Sequence, residues 1–327
     1  MSDDESTTID SSFARWALVS GTRVSVAAAL LLGVLVLAVV TASVGLLSGT
    51  PSSPMYFLFS SIFGGNLTLV TVVLSINQLV LSRELGAPGE LHQRIREAVE
   101  YRREAEETSG SSPSPVSPTG FLRFLHEAVD ADARALRESL SVETTENEQL
   151  HTRVGSLVDD LSGDAESVRR TLNASSVDIF AVIEATLGTN HASQLYEIAA
   201  IEAEFDGLTD EQERLLDRIR EQLLHIDTAR KYFRTVYIEK ELSYLSRILL
   251  YVGVPVEILT GGVLAVYGAV GSTPPPPEWM LPFVVVSLTA GFAPLAVLFA
   301  FVLRLSWVAQ RNTSVAPFAD AAERDGI

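Results

Sequence analysis

The sequence predicts an all-α membrane protein: four transmembrane helices, with a cytoplasmic helical bundle inserted between spans 2 and 3. Three observations carry that prediction. Apolar residues gather in two blocks, 24–82 and 248–303. Each block is long enough for two helices of about 20 residues, the length that crosses a hydrocarbon core. Between them lies a charged stretch, 84–247, with 32 acidic against 18 basic residues. Within that stretch almost nothing alternates as a strand does, and several segments repeat at helical spacing.

Taken in order, residues 1–23 form a polar N-terminal tail and residues 24–83 hold the first two spans. Residues 248–303 hold the last two, and 304–327 form a C-terminal tail. The spans are Val24–Leu47, Met55–Leu81, Ile248–Val270 and Met280–Leu303. The two short connections, around 48–54 and 271–279, contain no Lys or Arg, so the positive-inside rule places both termini and the central domain in the cytoplasm. The expected location is the cell membrane, with the lipid bilayer as first partner. Trp16, Trp279 and Trp307 fall at span edges, where interfacial aromatics belong. The first residues are acidic rather than basic then apolar, so the first span reads as an uncleaved anchor.

The central domain opens with a charged, helix-prone segment, Glu90–Glu107, followed by a breaker-rich Ser/Pro linker within 108–119 that is expected to be exposed and mobile. Phe121, Leu125, Val129, Leu136 and Leu140 mark one face of the next helix. Leu150, Val154, Leu157, Leu161, Ala165, Val168 and Leu172 continue at spacings of four and three, as in a bundle or coiled coil. Shorter helices are expected over Asn173–Leu187 and Ala192–Phe205. Thr209-Asp210-Glu211-Gln212 is a capping box. No Pro or Gly interrupts the helix it starts before Gly253, so that helix is expected to run into the third span.

Two features of the spans single out residues. In the second span Ser60, Gly64, Thr68, Thr71, Ser75, Gln78 and Ser82 recur at three- and four-residue steps on one face, with Asn66 and Asn77 beside them. Hydrocarbon offers such groups no partners, so this face should meet protein or water. In the third span Glu257 lies near the middle of an apolar run, where an ionisable side chain is costly and functional by default. Gly253, Gly261 and Gly268 share its side and permit close helix approach. Equal depth pairs Glu257 with Gly64, Asn66 or Thr68. The candidate polar site is therefore Glu257, Asn66, Thr68, Thr71, Ser75 and Gln78, as hydrogen-bonding glue or as the lining of a polar path. Gly64-Gly65 reads as a close-packing point, and Pro255 and Pro294 as kink positions.

Composition narrows the function. There are 327 residues, no cysteine and a net charge of −17, with 22 Arg against 2 Lys. Disulfides and thiolate metal sites are excluded. The acidity suits a salt-rich cytoplasm and opposes a nucleic-acid partner. No phosphate loop, dinucleotide fingerprint or nucleophile elbow is present. Glu148–His151 is a single Glu-x-x-His spacing where a di-iron bundle needs two. No enzyme activity, metal or cofactor is expected.

Three stretches, Ser75-Ile-Asn-Gln-Leu-Val-Leu-Ser-Arg-Glu-Leu-Gly86, Ala192-Ser-Gln-Leu-Tyr-Glu197 and Ala229–Tyr251, resemble an uncharacterised family of four-span membrane proteins from haloarchaea and actinobacteria. That resemblance implies the membrane layout and no activity. The layout is also loosely similar to bestrophin-type anion channels, in architecture only. Two readings stand: a non-enzymatic membrane-anchored helical module that self-associates or binds a cytoplasmic protein, and an oligomeric ion channel or transporter using the polar face of span 2 with Glu257.

Overall fold

The computed structural model describes residues 23–84, 87–142, 148–174, 189, 191–205, 207–269 and 278–310. Most of the helix expected over Asn173–Leu187, the Pro274–Pro277 run, Trp16 and the side chains of Arg304 and Trp307 lie outside that description. Every element among the described residues is a helix. They are α1 (Arg23–Ser43), α2 (Ser53–Glu84), α3 (Pro88–Ser109), α4 (Pro118–Val142), α5 (Glu148–Ala174), α6 (His191–Glu204), α7 (Asp210–Ala269), α8 (Met280–Gly291) and α9 (Ala293–Gln310). Four helical stretches are long and apolar enough to cross a membrane: Arg23–Ser43, Ser53–Leu79, the apolar part of α7, and Met280–Leu303.

The chain divides into two compact units. The apolar unit holds described residues 23–84 and 239–310. In it α1 and α2 each pack against α8 and α9. One core cluster joins Ala38, Met55, Phe59, Val263, Tyr267, Val284 and Leu288. A second joins Val73, Leu245, Leu249 and Phe301. The chain turns after α1 at Gly45, whose φ of +76° is strained for any side chain.

The polar unit holds described residues 87–238. Its core is built from the apolar stripes of α4 and α5: Leu122, Leu125, Val129, Leu136, Val154, Leu157 and Leu161 pack with Leu216, Ile219, Leu223 and Ile226 of α7. The stripes are therefore intramolecular core. Each fully buried Leu or Ile contributes about 1.5–3 kcal/mol relative to exposure. The capping box forms in both directions. The Thr209 N–H donates to Gln212 Oε1 at 3.0 Å, and the Gln212 N–H to Thr209 Oγ1 at 3.3 Å. From it α7 runs 60 residues as one helix, with Pro255 inside.

The Ser/Pro linker is exposed at residues 111–113 and 115–117, and it is tied to α3 at Ser114. Gly110 closes α3 in the left-handed conformation at φ +64°. The Glu106 carboxylate then accepts hydrogen bonds from the Ser114 N–H at 2.8 Å, the Ser114 hydroxyl at 2.7 Å and the Ser112 hydroxyl at 3.0 Å. Arg102 donates to the Ser114 carbonyl at 2.9 Å. Ser114 is buried. Breaker residues predicted a loop, and two charged side chains of the preceding helix bond to it.

Candidate intramembrane polar site

α2 has two faces with opposite partners. Met55, Phe59, Ile62, Asn66, Val70 and Val73 lie along the packed face. Three glycines make the approach close. A Cβ on Gly253 would stand 3.6 Å from Val70, one on Gly261 3.3 Å from the Phe63 ring, and one on Gly291 2.8 Å from Ile62. The opposite face carries the polar stripe. Ser60, Gly64, Thr68, Thr71, Ser75, Gln78 and Ser82 are all exposed. Nothing lies within 4 Å of a Cβ on Gly64 or Gly65, so that pair is no packing point inside the unit.

The hydroxyls from Thr68 to Ser75 bond back to their own helix. Thr68 donates to the Gly64 carbonyl at 2.9 Å, Thr71 to Leu67 at 3.1 Å and Ser75 to Thr71 at 3.1 Å. This return bond to the preceding turn is what lets Ser and Thr sit in apolar helices. Gln78 makes no hydrogen bond among the described residues.

Asn66 belongs to the other face. It is buried, and its Nδ2 donates to the Gly291 carbonyl at 3.0 Å. α8 ends at Gly291, and Pro294, at the second position of α9, has no N–H to donate to Ala290 one turn back. The expected kink falls at Phe292, a single turn residue between α8 and α9. The Phe292 N–H turns back to Thr289 at 3.2 Å, and a side chain from α2 meets the Gly291 carbonyl at that turn. A groove of about 400 Å³ runs beside it, lined by Leu58, Ile62, Gly65, Asn66, Phe292 and Leu295.

Glu257 lies one turn from each of Gly253 and Gly261, on the α7 edge that meets Val70 and Phe63. Depth therefore matches Asn66, but the carboxyl bonds neither to it nor to Gly64 or Thr68. Glu257 Oε2 is 3.5 Å from the hydroxyl of buried Thr260, whose shorter bond goes to Val256 at 2.8 Å. Glu257 Oε1 is buried without a partner. The six candidate residues thus occupy three environments: a helix-break staple (Asn66), a packed edge (Glu257), and an outward face (Thr68, Thr71, Ser75, Gln78).

A family model matches residues 2–325. The chain belongs to DUF7972, a family of unknown function. No curated protein and no solved structure matches it. DUF7972 therefore contributes kinship and no chemistry, and the remaining polar clusters must be read from their own geometry.

Two such clusters escaped the sequence reading. At the start of α1, Arg23 pairs with Glu241 of α7, and its guanidinium stands 4.9 Å from the Phe301 ring centre and 5.6 Å from that of Tyr244. One side chain thereby ties α1, α7 and α9 together. Its sequence signal is faint, a single Arg at the margin of an apolar run. In the polar unit, His191 Nδ1 lies 2.7 Å from Asp227 Oδ1, Arg230 bonds Asp227 at 3.2 Å, and the His126 ring centre lies 6.0 Å from that of His191. Burial pushes His126 down to about 3, reinforced by His191 and Arg230 against an opposing pull from Asp227. Burial would raise Asp227, but the His191 bond and the charges of His191, Arg230 and Lys231 outweigh it and hold the carboxyl below its ordinary value. The sequence signal for this cluster is the i, i+3 spacing of Asp227 and Arg230 alone. Among the described residues no group of three or more His, Asp or Glu side chains could hold a metal.

Proposed function

We propose that the chain is a non-enzymatic, membrane-anchored helical module that assembles with further copies of itself through the polar face of α2, in the cell membrane, with both termini and residues 84–247 on the cytoplasmic side. The observation that carries this reading is the outward direction of the whole stripe from Ser60 to Ser82. A lipid-facing surface of Gly, Ser, Thr and Gln is the composition that brings helices together in bilayers. Gly64, with open space around it, supplies the close approach.

Single-molecule photobleaching of labelled protein in vesicles, across a range of protein-to-lipid ratios, tests it. The double substitution Gly64→Leu, Gln78→Leu touches no contact inside the unit and is expected to leave thermal stability intact while shifting the population to monomers. A wild-type chain that stays monomeric at every ratio would sink the proposal, as would a variant that assembles equally well.

A second reading follows from the length of the stripe, which runs through more than 20 residues and hence about 30 Å of helix, enough to cross the core. In that reading copies enclose an ion path between them, never within one chain. Gln78→Leu then changes ion flux in liposomes, whereas Glu257→Gln, on the packed edge, changes stability alone.

A further inference from the structure

We infer that the first three turns of α3 lie on the membrane surface at the end of α2, as an interfacial amphipathic helix. The inference rests on the membrane reading of α2.

α3 changes character midway. Its second half docks: the Tyr101 hydroxyl donates to the His225 carbonyl, Arg102 stacks 5.7 Å from the Phe121 ring centre, and Ala105 is fully buried. Its first half, Pro88 to Glu100, is exposed throughout. Leu91, Ile95 and Val99 there stand 52%, 57% and 62% exposed, although they fall one turn apart on one side of the helix. At about 100° per residue, Ala98 joins that apolar arc. Arg94 and Arg96 border it on its two sides, and Glu90, Glu97 and Glu100 lie opposite. Apolar centre, cationic margins and acids farthest away is the order a helix needs when it sinks into a phospholipid boundary. The aliphatic side chains enter the acyl layer, the guanidinium groups reach phosphates, and the carboxylates stay in water.

Chain length supplies the occupant. The apolar stretch of α2 ends at Leu79, and α2 itself ends at Glu84. Only residues 85–87 separate Glu84 from Pro88. Those four steps span at most about 14 Å, and the five helical residues before them about 7 Å. The first turn of α3 is tethered within reach of the headgroup layer, and the aliphatic arc has no protein partner among the described residues.

The absence of cysteine allows a direct test on the full chain. Single substitutions Leu91→Cys, Ile95→Cys, Val99→Cys, Gln93→Cys and Glu97→Cys are spin-labelled in phosphatidylglycerol–phosphatidylcholine vesicles. Collision with lipid-soluble oxygen is then compared with collision with a water-soluble nickel chelate. Leu37→Cys, on the exposed side of α1, serves as the reference. The expected result is an oxygen-to-nickel ratio that is high at 91, 95 and 99 and low at 93 and 97, a helical period matching the arc. Equal nickel access at all five positions overturns the inference. So does shielding from both reagents with spin–spin broadening, which would seat a second copy on the arc. If the Leu37 label itself reports water, the membrane reading fails first, and the two failures are distinct.

Discussion

Replacing Asn66 by Leu tests whether a side chain from one helix holds together another that proline has cut. The perturbation keeps volume and removes one donor. In the folded chain the amide is buried and bonds the Gly291 carbonyl at 3.0 Å. A side-chain hydrogen bond inside a membrane is worth about 0.6 kcal/mol on average and up to about 1.7. Leaving a buried acceptor without a donor costs about 1–3 kcal/mol. The upper part of the first range applies, because the turn at Phe292 interrupts the helical ladder beside that carbonyl. Asn66→Leu should cost about 2 kcal/mol, a shift of roughly 30-fold in the unfolding equilibrium. The decisive assay is a double-mutant cycle with Pro294→Ala, followed by reversible unfolding in mixed micelles. Alanine restores the N–H that bonds Ala290 and lets the helix run through, so the Leu295 N–H can reach the Gly291 carbonyl and Asn66 loses its task. In that background Asn66→Leu should cost little, giving a coupling of about 1 kcal/mol or more. An equal cost in both backgrounds would refute the staple, and no cost in either would show the bond to be idle.

Two further outcomes follow from the same geometry. His126 titrates at about 3 when folded against about 6.5 when unfolded; the unfolded chain therefore binds the extra proton between those values, and stability falls as pH drops through that window. Chemical unfolding at pH 5 and pH 7 should differ by about 2 kcal/mol more in wild type than in His126→Phe, and an identical pH dependence would remove His126 as the cause. Glu241→Gln strands the Arg23 guanidinium, whose Nε is already buried without a partner, and should cost about 3 kcal/mol. Adding Arg23→Met should recover much of it, and a loss within about 0.5 kcal/mol, the size of an ordinary surface change, would mean the pair does not pin the three helices.

The legible part of this chain was its periodicity. The apolar runs, the α4 and α5 stripes and the Thr209–Gln212 cap are local patterns, and local patterns decide which helices form. The α2 stripe was equally legible as a stripe, since hydroxyls at three- and four-residue steps cannot fall elsewhere than on one face. Its direction was not, because the same helix carries an apolar seam at the complementary positions and either face could have met α7. Packing selected the seam: Gly253 and Gly261 accept Val70 and Phe63, bulky groups the stripe lacks. Depth suggested Asn66 as a partner for Glu257, but rotation about the helix axis, which depth cannot supply, sent the Asn66 amide to Gly291. Arg23–Glu241 and His126–His191 join residues far apart in the chain, and no repeat announces such pairs.

The return bonds along α2 have a stereochemical consequence. A hydroxyl that hands its proton to the carbonyl one turn back turns only lone pairs outward. From Thr68 to Ser75 the outer surface is accordingly a ladder of acceptors, and among the described residues of the stripe only Ser60 and Gln78 keep an uncommitted proton. Two such ladders brought face to face oppose oxygen to oxygen. A dry seam requires hydroxyls to rotate away from their own carbonyls, a rearrangement that surrenders one bond for each it makes. A seam that keeps them needs something between the ladders with hydrogens or positive charge to give: water, the Gln78 amide, or a hard cation, which takes oxygen ligands by preference. The hydrogen count of one helix face thus sets what can lie between two copies of this chain.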